Sequence, residues 1–341
     1  MWLSGHTGFT GGWLVLWLKE IGCEVSGFAL PPDTEPNLFS VARIVDGIGS
    51  EFGDIRDFNA VQGSIDRAEP EVIFHVAAQP LVSRSFSDPI ETVASNVLGT
   101  AHVLEAARNS KAVKAVVCVT TDKVYSDDST YQPHDESGAL GGKDPYSASK
   151  AAAELIARCY AMTMAPRGNS CRIATARGGN IIGGGDWSQD RIVPDFTRAV
   201  TAKSTLVLRH PGAVRPWQHV LALVHGYLAL AGHLLTSDEG VGQGWNFGPN
   251  ADEEISVERL VERLSGAWTK PDIRIEPSDF PETNILRLDS AKARSKLGWS
   301  PPINIETAVD LTAGWYRDFY ADPSKARDLT LRQIKNYRQK L

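Results

Sequence analysis

Trp2-Leu3-Ser4-Gly5-His6-Thr7-Gly8-Phe9-Thr10-Gly11-Gly12-Trp13-Leu14-Val15-Leu16-Trp17-Leu18 opens the chain and decides its fold class. Trp2-Leu3-Ser4 reads as a very short strand, the glycines at 5, 8 and 11 as a tight turn, and the apolar run from Trp13 as a helix. Strand, glycine loop and helix in this order are what a dinucleotide site requires. Glycine lets the backbone approach a pyrophosphate, and the helix N-terminus supplies N–H donors and a positive dipole end. Gly5, His6, Thr7, Gly8, Phe9 and Gly11 are therefore the first candidate binding residues. The spacing is Gly-x-x-Gly-x-x-Gly rather than Gly-x-Gly-x-x-Gly, and a plain glycine-rich turn is the competing reading.

Outward from this loop the apolar runs recur as strands. Glu24 to Leu30 reads as the second, but its end carries neither the acid that takes a ribose hydroxyl nor an arginine for a 2′-phosphate. NAD is favoured by the missing cation, with NADP left open. Phe52-Gly53-Asp54-Ile55 reads as a third strand end; Asp54 there either accepts from the adenine amino group or is a cap-like acid in a turn, and Ile55 is a further candidate cofactor residue. Val72 to Gln79 reads as a fourth, with Ala77 and Ala78 small enough at its tip for a flat ligand to cross. His75 interrupts that run and reads as a satisfied core histidine. Pro89 opens a helix through Asn96 to Arg108, Ala115 to Val119 reads as a fifth strand, and Cys171 to Ala176 as a sixth. Strands alternating with helices predict an α/β fold: a doubly wound, mostly parallel Rossmann sheet with a smaller mixed α/β C-terminal lobe. Residues 1–178, with about 215–245, are assigned to the cofactor domain, and 179–341 mainly to the substrate lobe.

The chemistry concentrates between Thr120 and Lys150. Thr121-Asp122-Lys123 follows the fifth strand, at the end where open α/β sheets place ligands. Asp144-Pro145 then starts a helix, with Asp144 as cap and Pro145 at the first helical position. Tyr146 and Lys150 stand one turn apart on that helix. A cation there is expected to lower the phenol pKa and make Tyr146 a proton acceptor for a hydroxyl group. A Tyr-x-x-x-Lys alone is weak, as is a polar turn at a strand end. Behind a glycine loop the two together are far stronger.

The 341 residues are 42% hydrophobic and 22% charged, with a formal net charge of −6. That charge argues against a nucleic-acid partner. No apolar run suggests a membrane partner. Cys23, Cys118, Cys159 and Cys171 lack metal-ligand spacing, which points to no metal and to reduced thiols in a cytoplasmic protein. After residue 176 the texture changes: Arg177 to Gly185 holds five glycines in nine residues and reads as a ligand-facing loop. Arg191, Arg209 and Arg215, with nearby aromatics, gather cations in an otherwise acidic chain and suit a nucleotide diphosphate, a solvated surface arginine being the competing reading for each. Ser256 to Ala267 and Leu286 to Trp299 read as helices, the second stopped by Gly298. With the Trp245-Asn246-Phe247-Gly248-Pro249 run they read as scaffolding of the second lobe.

These motifs resemble the extended short-chain dehydrogenase/reductase superfamily, and within it the CDP-glucose 4,6-dehydratases. The likeness rests on the glycine loop, Ala77-Ala78-Gln79-Pro80-Leu81-Val82, Asn96-Val97-Leu98-Gly99-Thr100, Thr121-Asp122-Lys123 and Tyr146-x-x-x-Lys150. It also rests on Gly179 to Trp187, Arg215 to Val220, Trp245 to Pro249 and Leu297-Gly298-Trp299. It spans roughly residues 3 to 320. The resemblance implies tightly bound NAD contacted also by Gln79 and Asn96, and a CDP-hexose contacted by Gln79, Asn180, Arg191, Arg209, Arg215, His219 and Asn246. It implies Lys123 as the base at C5, Asp122 as the acid at the C6 oxygen, and Thr121 on the C4 oxygen. A neutral Lys123 and a protonated Asp122 are needed for that. A homodimer through the helices around Thr100 and Ala153 is also implied. Two departures stand out: the first strand is short, implying an upstream start or a weakened sheet edge, and the loop from Tyr125 to Gly142 diverges. The rivals are a nucleotide-sugar 4-epimerase, against which Asp122-Lys123 argues, a dehydratase of a UDP- or dTDP-hexose, and an inactive nucleotide-binding scaffold.

Overall fold

A computed structural model describes residues 1–126, 132–164, 171–250, 253–276 and 287–341. Part of the divergent Tyr125–Gly142 loop and the residue Leu286 lie outside these.

Seven strands form one sheet, which we number β1 (Trp2–Ser4), β2 (Ser26–Ala29), β3 (Gly49–Phe52), β4 (Val72–His75), β5 (Ala115–Val119), β6 (Arg172–Gly178) and β7 (Gly244–Phe247). Their order is β3-β2-β1-β4-β5-β6-β7 and every pairing is parallel. The doubly wound parallel sheet is therefore as expected. Two expectations are corrected. The short β1 lies at the centre, hydrogen-bonded on both sides, and not at an edge. The Trp245–Phe247 run is the seventh strand of the main sheet, not scaffolding of the second lobe, because its backbone completes the open side of β6.

The strands are almost continuously apolar because both faces are covered. Alternate residues enter opposite cores. Leu3, Val72, Phe74, Ala115 and Val117 join Trp13, Trp17, Leu221, Trp315 and Tyr337 on one side. Trp2, Ile73, Val116 and Cys118 meet Val61, Val103, Leu104 and Ala157 on the other. The first core runs without interruption into the C-terminal helices Ile305–Ala321 and Ala326–Arg338. Around the remaining C-terminal segments, short pairs form a mixed lobe. Ile181–Ile182 pairs with Gln218–His219, Val214–Arg215 with Ile255–Ser256, and Leu206–Leu208 with Ile273–Ile275.

Local signals explain the helices that matter. The Pro145–Met164 helix starts where Asp144 Oδ1 accepts from Ser147 N at 2.8 Å, a cap worth about 1 kcal/mol. The Val257–Ala267 helix is capped by Ser256. Of the Leu286–Trp299 reading, a helix forms over Ala291–Leu297 and ends at Gly298 in the left-handed region.

Candidate active site

The glycine loop leaves β1 where the strand order reverses between β1 and β4, the point at which open sheets bind ligands. Gly5 has φ +82, and a Cβ there would lie 2.7 Å from Ala77 N; a Cβ on Gly11 would lie 2.0 Å from Gly5 O. Both positions require glycine. Gly8 starts the Phe9–Glu20 helix with no side-chain cap and no acidic residue in its first turn, leaving a positive dipole end for an anion. Thr7 Oγ1 donates to Leu30 O at 2.9 Å, fixing the loop to the end of β2. The β4 tip is held as firmly: Ser4 Oγ accepts from Val76 N and Ala77 N and hydrogen-bonds His75 Nδ1 at 2.7 Å. His75 Nε2 pairs with Thr100 at 3.0 Å. His75 is the satisfied core histidine that was expected, and burial pushes its pKa down to about 3.

Beside this cradle the β5 tip and the Pro145–Met164 helix bring Thr121, Asp122, Tyr146 and Lys150 together, all buried. Thr121 Oγ1 donates to Asp122 Oδ1 at 3.0 Å and accepts from Lys123 N. Asp122 Oδ2 is enclosed and has no hydrogen-bond partner among the described residues. Burial raises the Asp122 pKa against the pull of Lys123, Thr121 and Arg215. A carboxyl that tends to keep its proton in a dry setting is suited to be an acid. Lys123 is half-buried at the edge of the same turn.

The expected electrostatics of the tyrosine pair are corrected. Burial drives the Tyr146 phenol up to about 12, against a hydrogen bond with Thr121. Lys150 does not offset this, because its Nζ donates to Val119 O at 3.0 Å. Burial instead lowers Lys150 to about 8. The i, i+4 spacing puts the two on one helix face, but the β5 carbonyl captures the ammonium.

A model described as GDP-mannose 4,6 dehydratase matches residues 3–312. The chain belongs to that family. Among this family member's relatives is a CDP-glucose 4,6-dehydratase of Salmonella typhimurium, 39% identical over 323 residues, covering 93% of this chain and 90% of that protein. A UDP-glucose 4-epimerase of Mycolicibacterium smegmatis is 30% identical over 93% of this chain and 98% of its own length. A dTDP-glucose 4,6-dehydratase of Streptomyces venezuelae, solved with NAD bound, superposes with a TM-score of 0.80 at 25% identity, covering 95% of this chain and 99% of that one.

Several side chains singled out from the sequence of this dehydratase-family protein are committed internally. His6 is fully buried, with Nε2 on Ser50 Oγ at 2.8 Å and its ring filling the space above Gly27. Only its backbone is left to face the loop. Gln79 spends its amide on Leu81 and Thr92. Asn96 Oδ1 accepts from Gln79 N, and its Nδ2 donates to Gln79 O and to Ser149 Oγ. Asn96 therefore ties the β4 tip to the Tyr146 helix and offers no free group. Asn246 Oδ1 accepts from Tyr125, while Nδ2 donates to His134 O and Asp289 O. His219 caps the Val220–Thr236 helix through Nδ1 and packs edge-on against Trp13. Gln79 and Asn96 satisfy backbone groups around the β4 tip, whereas His6 Nδ1 and His219 Nε2 have no hydrogen-bond partner among the described residues.

Asp54 is chelated by Arg56, whose hydrogen bonds lower its pKa, and Ile55 is buried against Gly99. Arg191 pairs with Asp186 at 3.0 Å, and its charge is felt at Tyr146. Arg215 is buried, its charge acting on Asp122. Arg209 is exposed and paired with Asp190 at 2.9 Å. Asn180 is half-buried, its carbonyl accepting from Gln218 N. Phe9 reaches toward Gly183, where a Cβ would lie 3.1 Å from the ring.

Sequence reasoning missed Glu154, Arg177 and Tyr125. Glu154 accepts from Arg177 Nε at 3.0 Å and Nη2 at 2.9 Å, and also from the hydroxyls of Thr120 and Thr175. Arg177 Nη1 donates to Tyr125 OH at 2.8 Å. The one available signal was Glu154 continuing the 146, 150, 154 face of the helix.

Proposed function

We propose that this chain is a nucleotide-sugar 4,6-dehydratase, a hydro-lyase converting CDP-glucose to CDP-4-keto-6-deoxyglucose and water. The observation that carries the reading is the buried, half-unpartnered Asp122 carboxyl beside Tyr146, followed in sequence by Lys123. An epimerase needs the phenol but no acid and base at this tip. The similarity to the Salmonella typhimurium enzyme favours a cytidine nucleotide.

The residues present suit NAD. A turn with no room for a Cβ at Gly5 or Gly11, an uncapped helix start without acid, and Ala77 and Ala78 at the β4 tip would hold a dinucleotide across the strand ends. NAD, when bound, supplies a reversible two-electron acceptor beside the sugar. Tyr146 takes the C4 hydroxyl proton. Because burial holds the free phenol at about 12, this role needs positive charge brought in on ligand binding. Thr121, bonded to both Tyr146 and Asp122, orients the C4 oxygen. Once C4 is a ketone the C5 proton is acidified; Lys123 removes it while Asp122 protonates the departing C6 hydroxyl as water, and return of the hydride to C6 and of the Lys123 proton to C5 completes the 4-keto-6-deoxy sugar. Arg191 and Arg215 would face the diphosphate. Residues 1–178 with about 215–245 would hold the cofactor, and the rest of 179–341 the sugar nucleotide.

A homodimer is part of this reading. Ile90, Val93 and Leu98 on one helical segment and Leu155 and Met162 on its neighbour are exposed. Such an apolar patch suits a second copy. Free cysteines, and no described helix long and apolar enough to cross a membrane, support a cytoplasmic setting.

Incubation with CDP-glucose, UDP-glucose, dTDP-glucose and GDP-mannose tests the reading. Loss of one water by mass spectrometry, fastest with CDP-glucose, is expected. An isomer of unchanged mass would establish the epimerase instead, and faster loss from another nucleotide sugar would reassign the base.

A further inference from the structure

Resting on the dehydratase reading, we propose that Glu154 is a positioning residue which, directly at one end and through Arg177 at the other, holds the Thr121–Lys123 turn in register with Tyr146. Glu154 lies on the Tyr146 helix, two turns below the phenol, with its side chain 4% exposed, as is that of Arg177. Both carboxylate oxygens are doubly occupied, each by one threonine hydroxyl and one guanidinium nitrogen.

The destinations of these bonds carry the argument. Thr120 immediately precedes the acid–base turn, and its backbone is pinned to Ala176 O at 2.8 Å. Tyr125 immediately follows the Asp122–Val124 helical turn. Its hydroxyl accepts from Arg177 Nη1 and donates to Asn246 Oδ1 at 2.7 Å on β7. The Arg177 guanidinium also lies 5.0 Å from the Tyr125 ring centroid. One buried carboxylate thus reaches the turn's first flank directly and its last flank through one arginine. Lys150 Nζ on Val119 O adds a tie to the residue before Thr120. Simple stability would not require the bonds to bracket the one segment that bears the acid and the base. Buried charge pairs are poor devices for stability but good ones for specifying a unique arrangement.

The consequence is separation of two steps. Oxidation at C4 depends first on Tyr146, which stays on its helix when the network is cut, and loses only the orienting contact of Thr121. Elimination depends on where Asp122 and Lys123 stand, and misplacement by about 1 Å costs on the order of 100-fold. Thr120→Val and Tyr125→Phe each remove one hydroxyl without changing shape, and Glu154→Gln breaks the hub. The holoenzyme variants should accumulate reduced nicotinamide absorbance during turnover of CDP-glucose. Their kcat should fall roughly 10-fold to 100-fold with KM changed less than about twofold. The effects of Thr120→Val and Tyr125→Phe should be non-additive, since both act on one turn. A readout independent of catalysis is amide hydrogen exchange, which should quicken over residues 121–125 while β4 and β6 keep their protection.

Unchanged kcat and exchange in the double variant would overturn the proposal. So would equal slowing of oxidation and elimination. If Glu154→Gln fails to fold, the two hydroxyl deletions carry the test. If the wild-type protein dehydrates no sugar nucleotide, the functional reading falls, and exchange at 121–125 still decides whether the network holds the turn.

Discussion

Replacing Lys150 with methionine tests the electrostatic core of the site. Lys150 is 6% exposed and lies in the Tyr146 helix. Burial lowers its pKa from 10.5 to about 8. A lysine whose folded-state pKa lies below its unfolded value disfavours folding while it is charged. The penalty is full below pH 8, shrinks as pH rises, and vanishes above 10.5. At 1.36 kcal/mol per unit, a fall from 10.5 to about 8 corresponds to about 3 kcal/mol. Lys150→Met removes the charge at every pH. It also removes the bond to Val119 O, a loss that is nearly constant across this range. The quantity to measure is therefore the change with pH. Urea unfolding followed by tryptophan fluorescence at pH 7 and pH 10.5 should show wild type gaining about 3 kcal/mol relative to Lys150→Met. Groups that titrate alike in both proteins cancel. Parallel stability profiles over this interval would refute the claim that the ammonium is held in a dry setting.

Four further outcomes are expected. Tyr146→Phe should abolish reduced-nicotinamide formation from CDP-glucose, a loss of about 100-fold or more in the first step, read by stopped-flow absorbance. Asp122→Asn should retain that first step, lose elimination by about 100-fold to 10,000-fold, and be more stable than wild type at pH 7. Its stability advantage should shrink as pH falls toward 3.8, because the raised Asp122 pKa makes ionisation costly in the folded state; parallel melting curves from pH 4 to 7 would contradict this. Gly11→Ala, whose Cβ would sit 2.0 Å from Gly5 O, should lose bound nicotinamide on gel filtration and about 3 kcal/mol of stability, the upper range for overpacking. Leu155→Glu combined with Met162→Glu should halve the molar mass seen by light scattering if that face joins two copies.

Much of the fold was legible because periodicity and glycine placement are local. Trp2 to Leu18 carried a strand, a glycine turn and a helix, and all three appear, the helix starting at Phe9 rather than Trp13 so that Gly11 lies within it. The apolar runs at 72–75 and 115–119 announced strands covered on both faces. Asp144-Pro145 announced a helix start, and Gly298 a helix stop. The position of β7 was not legible, since which edge a strand joins depends on partners far away in sequence. Among site residues, Thr121, Asp122, Tyr146 and Lys150 do converge. Gln79 and Asn246 near strand ends and Asn96 on a neighbouring helix show the limit of motif reading: a polar residue there is equally suited to bind a ligand or to satisfy its neighbours. Only the hydrogen-bond partners choose between these.

The order of residues along the chain was enough for the parallel sheet, the glycine cradle and the presence of a phenol, an acid and two amines near one strand end. These follow from spacing, which backbone geometry converts directly into place. Protonation states required the folded molecule. Tyr146 lies at about 12 and Lys150 at about 8 because burial outweighs their proximity. Burial is a property of everything packed around them, from Val119 to Arg191. The Glu154–Arg177 hub likewise exists only where the helix, β5 and β6 come together, since its members are brought within hydrogen-bond reach by the sheet and not by the chain.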